Sequence, residues 1–303
     1  MGIGEAGGTP PAHSLISDYF PQRERATAMA IYSLGVAAGP SLGIALGGGL
    51  AAAYGWRTAF IAIGLPGVLV SLVVLLVIKE PRVAAAPPPP PPLRQTIGRF
   101  FATPALAWTA CTSALSAFVG YGSSAWTAAM LMREHGMTLG QGAAFFSVTT
   151  GVAAVTGMFF SGWLVDRLAR RTKRAYALVP GAAFLIAAPF LAAGIWAPDW
   201  RLALALLFPA SLCLNTFLAP AVTIVQNTVA PERRAASSAI LLFTLNLVGL
   251  GGGPVFVGMM SDRLGSLAQG MSALIPVILL TVLAQYLASR ALDREDGPAT
   301  AAA

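Results

Sequence analysis

Glu5 is the one acidic residue that lies well inside an apolar segment of this 303-residue chain. It precedes Asp18, near the end of the same segment, by 13 residues, or about 20 Å along a helix. In a bilayer its carboxylate would lie far from water, where a charge costs at least about 2.5 kcal/mol. The position therefore indicates a carboxyl group that gains and loses a proton, which is the chemistry of proton coupling. The alternative is an ordinary acid at the end of a truncated helix.

A second chemical pattern ends the fifth apolar segment, where one acid lies among three arginines. The acid can pair with these arginines or accept hydrogen bonds from the N-terminus of a neighbouring helix. The pattern predicts a conformational latch made of Gly162, Asp166, Arg167, Arg170 and Arg171. The alternative is a basic membrane-flanking loop with an incidental acid. A shorter version of this pattern occurs at 258–265, where an ordinary turn is an equally good interpretation.

Glycines and a proline interrupt the second apolar segment in a pattern that favours a bent helix. Gly35, Gly39 and Gly43 allow neighbouring helices to approach closely, and Pro40 frees a backbone carbonyl group. A helix that bends and slides suits a protein that opens alternately to the two sides of a membrane. Simple close packing is the alternative, and it is compatible with bending.

Uncharged polar side chains lie inside several of the later apolar segments. Most such groups join helices by hydrogen bonds, so this is the alternative for each of them. The residues predicted to line a substrate cavity are Tyr121, Asn215, Gln226 and Asn246.

Enzyme motifs are missing from the sequence. It contains no Walker-type phosphate loop, no GxSxG and no HExxH. Cys111 and Cys213 lie far apart in apolar segments, and His13 and His135 lack the spacing of metal ligands. We therefore predict a protein that is not an enzyme and has no cofactor or metal ion.

The composition shows what solvent surrounds the chain. It is 56% hydrophobic and only 10% charged, with a mean hydropathy of +0.72, whereas a soluble domain carries roughly 25% charged residues. Such a chain cannot cover itself with polar groups, so its main partner is a lipid bilayer. The net charge of +7 comes from short loops between apolar segments and forms no continuous basic patch, which argues against nucleic acid.

The apolar segments predict an all-α, polytopic membrane protein. Each segment has about the length that crosses a bilayer, and prolines, glycines or charge clusters separate them. The nine predicted spans are 2–19, 27–50, 58–78, 100–131, 139–166, 175–197, 201–229, 235–260 and 270–290.

The basic residues predict the orientation in the inner (plasma) membrane. Four of the 19, Arg57, Arg133, Arg201 and Arg263, fall in loops on one side, and the other fifteen fall on the opposite side. This bias places the C-terminus in the cytoplasm. Residues 80–99, with a proline run at 87–92, are predicted to form an extended cytoplasmic linker or a ligand for a proline-binding domain. The resulting regions are 1–79, the linker 80–99, a bundle 100–290 and a tail 291–303.

A loop-and-helix unit occurs twice. A basic loop follows Pro21 and a similar basic loop follows Pro231. The two loops align with an offset of 209 residues, which pairs Arg25 with Arg234. An apolar Gly-Pro helix follows each loop. This duplication suggests two similar halves, as in many transporters.

With these motifs the chain resembles the major facilitator superfamily, and residues 2–6, 14–21, 55–60 and 133–137 resemble its spinster-type branch. The resemblance implies a fold of six plus six helices with a substrate site between the two bundles. It also implies proton-linked or facilitated movement of a small organic or amphipathic solute, with lysolipid-like substrates in the spinster branch. Glu5 matches the family's glutamate on helix four, so the chain corresponds to helices four to twelve, with about three helices missing.

The main prediction from the sequence is a secondary transporter that works by alternating access, with protons as a coupling partner. Two alternatives stay open. One is a transport-inactive, truncated fragment, and the other is a membrane scaffold that recruits a protein through the proline-rich linker.

Overall fold

The structure is a computed structural model that describes residues 16, 19, 35, 39, 42–78, 92–230 and 233–294. Helices dominate, and no β-strand occurs among these residues. The predicted all-α class is therefore confirmed.

The chain forms two compact units, and Gly151 and Val152 mark the boundary between them within one long helix. The N-terminal unit contains α1 (Leu42–Tyr54), α2 (Trp56–Val77) and the start of α5 (Leu139–Ala169). Gly55 joins α1 to α2 with a φ of 83°, a conformation that favours glycine. Of the side chains of α2 only Ala59 is buried, as expected for an apolar helix that faces lipid.

The C-terminal unit contains the rest of α5 and eight further helices. Two of them, α7 and α8, follow each other closely and together form one apolar span, Trp200–Thr228. The eight helices are α3 (Leu93–Ala102), α4 (Pro104–Glu134), α6 (Ala175–Ile195), α7 (Trp200–Leu214), α8 (Leu218–Thr228), α9 (Arg234–Leu264), α10 (Leu267–Ser272) and α11 (Leu274–Arg294).

Six helices of the described chain are long and apolar enough to cross a membrane, and the bent pair α3–α4 makes a seventh candidate. These seven coincide with the last seven spans predicted from the sequence. The first predicted span, 2–19, contributes only residues 16 and 19 to the described part, and the second contributes 35, 39 and 42–50. The linker shows one difference: its last residues belong to α3 rather than to an extended segment.

One end of the C-terminal unit is defined by a cluster of buried apolar residues. Ala105 at the start of α4 packs with Ala177 at the start of α6, Ile224 near the end of α8 and Leu292 at the end of α11. The adjacent loops carry most of the unit's arginines, so we call this the basic end. The opposite end is where α4, α6 and α9 finish.

Glycines bring α4 and α9 into backbone contact. A methyl group on Gly253 would overlap the carbonyl oxygen of Phe118, and one on Gly249 would lie 2.5 Å from the β-carbon of Ala117. Gly122 faces the same contact from α4, with a Gly253 oxygen 3.1 Å from the position of a β-carbon. Small residues of this kind let membrane helices approach closely. The contact lies beside a π-helical turn of α9, Asn246–Leu250.

An ion pair joins two helices at the basic end. Arg174, which precedes α6, donates a hydrogen bond from Nη2 to Oδ2 of Asp293 in the last turn of α11. This hydrogen bond, aided by the negative charge of Asp293, raises the pKa of the Arg174 guanidinium above its ordinary value. The guanidinium therefore stays charged at any physiological pH.

Candidate functional site

The predicted proton-coupling residue and part of the predicted helix-bending motif lie outside the described residues. Glu5 and Pro40 are not described, whereas Gly35, Gly39 and Gly43 are described and are helical. None of these three glycines has a neighbouring atom within 4 Å of a β-carbon position in the described part of the structure. The proposed bending role of this segment stays a prediction.

The charged residues of the predicted latch share one cavity. Asp166 and Arg167 lie in the last turns of α5, and Arg170 and Arg171 follow in the turn that ends it. All four line a cavity of about 790 Å³, and the Arg167 guanidinium lies 5.8 Å from the ring centre of Trp163. Gly162 lies one helical turn before Asp166. The acid and the arginines thus line one open hollow at the end of a single helix, and the latch action stays a prediction.

Two of the predicted cavity residues form a polar pair. The Tyr121 hydroxyl donates to Oδ1 of Asn246 over 3.5 Å, and both side chains are exposed on the unit's surface. Tyr121 lies about halfway along α4, and Asn246 begins the π-helical turn about halfway along α9. The glycine contact described above sets the separation of these two helices. The pair therefore places an exposed hydroxyl and an exposed amide about halfway along two long helices.

The other two predicted cavity residues have different partners. Gln226 donates from Nε2 to Oγ of Ser238 over 2.9 Å and so joins α8 to α9. Asn215 donates from Nδ2 to the carbonyl oxygen of Ser211 over 2.8 Å, one turn back along the chain. Gln226 thus fits the alternative of a hydrogen bond between helices, and the cavity role of both residues stays a prediction.

A carboxylate that the sequence analysis did not single out holds the opposite end together. Oε1 of Glu134 accepts hydrogen bonds from the backbone N–H groups of Leu267 and Ala268 at 2.7 and 3.0 Å, at the start of α10. Ser266 caps the same helix by accepting from the N–H of Gln269 at 3.2 Å. The Ser266–Gln269 spacing is the sequence signal of such a cap, whereas nothing nearby pointed to Glu134.

Two further contacts at this end join distant parts of the chain. Nε2 of His135 lies 3.2 Å from the carbonyl oxygen of Ile195, and the Trp196 indole donates to Oγ of Ser272 over 3.1 Å. The shorter version of the latch pattern, at 258–265, is an ordinary helix end. Gly265 closes α9 with a φ of 85°, and its N–H donates to the Ser261 carbonyl oxygen.

Across the described residues no three His, Cys, Asp or Glu side chains gather into a possible metal site. The polar pair offers one hydroxyl and one amide among apolar side chains, a combination that can orient a ligand through hydrogen bonds.

The fold and the polar pair define a class: a polytopic, all-α membrane protein with uncharged polar groups halfway along its spanning helices. The family profile of the Major Facilitator Superfamily matches residues 1–250, and the chain belongs to this superfamily. The resemblance inferred from the sequence is thereby confirmed.

Two curated relatives are similar to most of the chain. An MFS-type efflux pump of Mycolicibacterium smegmatis is 32% identical over 291 residues, which cover 95% of this chain and 67% of the pump. Protein spinster homolog 1 of Mus musculus is 26% identical over 298 residues, covering 87% of this chain and 54% of the relative. The chain thus spans about two thirds of the pump's length and about half that of the spinster homologue.

A solved structure shows the same fold. It is the inward-facing, unoccupied form of a bacterial homologue of the human lysosomal transporter spinster, with a TM-score of 0.85 and 28% sequence identity. The match covers 98% of this chain and 78% of that protein. The spinster-like assignment made from the sequence agrees with this similarity.

Proposed function

We propose that this chain acts as a secondary transporter that moves a small organic or amphipathic solute across the plasma membrane by alternating access. Membership of the superfamily supports transport, and the relatives named above are an efflux pump and a homologue of a lysosomal transporter. The observation that carries the proposal for this chain is the exposed Tyr121–Asn246 pair about halfway along two long helices.

The chemistry of the pair suggests a class of solute. A hydroxyl and an amide can bind the uncharged polar part of a ligand, and neighbouring apolar side chains such as Leu247 can contact its hydrocarbon part. Leu247 is 63% exposed, so the hydrocarbon surface is accessible beside Asn246. A lysolipid-like molecule combines both parts, and this is also the substrate class that the spinster resemblance implies.

Transport of a fluorescent lysophospholipid by proteoliposomes that contain the full chain tests the proposal. Tyr121→Phe and Asn246→Ala should each lower the initial rate about five- to tenfold, because each removes a proposed hydrogen bond between the protein and the solute, worth about 1 kcal/mol net. Tyr176→Phe and Asn227→Ala are matched controls, since Tyr176 lies at the start of α6, at the basic end, and Asn227 lies near the end of α8. The controls should transport at the original rate.

Equal rates in all four variants would remove the pair from the transport site. An original chain that transports nothing, although it is folded and correctly inserted, would contradict the transport function itself and favour the fragment or the scaffold.

Proton coupling through Glu5 is part of the same proposal and has its own test. A carboxyl group that binds the coupled proton should make uptake depend on pH, and Glu5→Gln cannot bind that proton. We therefore expect Glu5→Gln to abolish the pH dependence of uptake. An unchanged pH profile in this variant would show that Glu5 does not couple protons to transport.

A further inference from the structure

Helix α3 presents an exposed apolar stripe beside a buried face. Leu93, Ile97 and Phe101 lie four residues apart and are exposed by 62%, 40% and 47%. Thr96 and Phe100, on the adjoining face, are only 2% and 1% exposed. The helix is therefore fixed to its unit on one side and leaves a continuous apolar surface uncovered on the next.

The buried face prevents α3 from turning that stripe inward. Phe100 belongs to a core cluster with Leu106 of α4 and with Leu241 and Leu245 of α9. Its ring also packs edge-on against Phe101, with centroids 5.2 Å apart. The direction of the stripe is thus set by packing against two long helices.

The axis of α3 is perpendicular to that of α4. The two helices meet at a bend of 90°, which is built by Pro104 at the first position of α4 and by extended Thr103 before it. The Thr103 hydroxyl and N–H close the end of α3 by donating to the Arg99 carbonyl oxygen at 3.0 and 3.1 Å. The 31 residues of α4 are long enough to cross the bilayer without α3, and the perpendicular α3 then lies along the membrane surface.

Positive charge predominates at this surface. Arg94 and Arg99 are exposed and flank the apolar faces of α3 on either side. The basic end of the C-terminal unit carries eleven described Lys and Arg residues against two described acids, Asp166 and Asp293. The opposite end carries three described basic and three acidic residues. An anionic partner is therefore favoured at the basic end alone.

We propose that α3 is an interfacial binding site for anionic phospholipids. Leu93, Ile97 and Phe101 enter the boundary between head groups and acyl chains. Arg94 borders this stripe and binds the phosphate groups beside it, and Arg99, beyond the buried face, adds positive charge at the same surface. Arginine suits this role because its planar guanidinium donates two parallel hydrogen bonds to a phosphate. The occupant is a bilayer lipid rather than a soluble protein, because α3 lies at 90° to α4 and combines an exposed apolar stripe with exposed arginines.

Native mass spectrometry of the purified full chain, titrated with phosphatidylglycerol or phosphatidylcholine, tests this site. The double variant Arg94→Gln/Arg99→Gln should bind phosphatidylglycerol about tenfold more weakly and phosphatidylcholine unchanged. The control Arg133→Gln/Arg201→Gln removes the same charge from the opposite end and should keep the original affinity. Arg94→Lys/Arg99→Lys keeps the charges but loses the paired donors, so its affinity should lie between those of the Gln variant and the original chain, and free glycerol phosphate should not compete.

Two results would overturn the proposal. One is an equal loss of phosphatidylglycerol affinity in the Arg94/Arg99 variant and in the control. The other is unchanged lipid binding in a Leu93→Ser/Phe101→Ser variant whose circular dichroism and elution volume match those of the original chain. The readout is lipid affinity, so it is independent of whether the chain transports a solute.

Discussion

Gly253→Ala should destabilise the C-terminal unit by about 3 kcal/mol, at the upper end of what overpacking costs. The new methyl group would overlap the carbonyl oxygen of Phe118, and the nitrogen of Gly122 lies 3.0 Å from the same position. Both neighbours are backbone atoms of α4, so no side chain can rotate away and the two helices must separate. Thermal unfolding of the purified protein in detergent measures the effect.

Gly251→Ala is the matched control, because it lies two residues earlier on the same helix. The nearest atom to its new methyl group would be the Asn246 carbonyl oxygen at 4.0 Å, an ordinary contact. We expect this control to unfold at nearly the original temperature. A Gly253→Ala protein as stable as the control would mean that α4 and α9 are not held at the separation shown by the structure.

Glu134→Ala should cost about 2 kcal/mol, the range of hydrogen bonds to a charged group. The substitution leaves the N–H groups of Leu267 and Ala268 without the carboxylate that accepts from them, and it removes a negative charge from a helix N-terminus. Glu134→Gln keeps an acceptor but not the charge, so it should lose about half as much. Hydrogen exchange of the Leu267 and Ala268 amides should accelerate about tenfold or more in Glu134→Ala.

Asp262→Asn is the control for the general loss of negative charge at the same end. Asp262 lies in the last turn of α9, where the helix dipole does not favour an acid, so its neutralisation should not destabilise the protein. If exchange at Leu267 and Ala268 is equally slow in Glu134→Ala and Asp262→Asn, the Glu134 carboxylate does not hold α10.

The sequence was sufficient to predict the spanning helices because their signal is local. A run of about 20 apolar residues bounded by Pro198-Asp199 or by Arg170-Arg171 indicates a span without knowledge of its neighbours. Residues 93–99 of α3 were assigned to the linker because the preceding proline run favours extended chain, whereas residues 100–102 were assigned to the next span. The amphipathic pattern of α3 has meaning only once the bend before Pro104 is known.

The candidate site was predicted in part, since it depends on partners that lie far apart in the chain. Tyr121 and Asn246 were singled out as polar residues in apolar segments, but the 125 residues between them hide their hydrogen bond. Gln226 carried the same signal and instead binds Ser238. Glu134 was not predicted as a site residue, because an acid next to Arg133 in a loop is common and its hydrogen-bond partners follow 133 residues later.

The attachments of α4 at its two ends have a mechanical consequence. At the basic end Ala105 packs against Ala288 and Leu292 of α11, and at the opposite end Glu134 holds α10, which leads directly into α11. Helices α4 and α11 are thus connected at both of their ends. A tilt of α4 is therefore coupled at both ends to α11, directly at the basic end and through α10 at the opposite end.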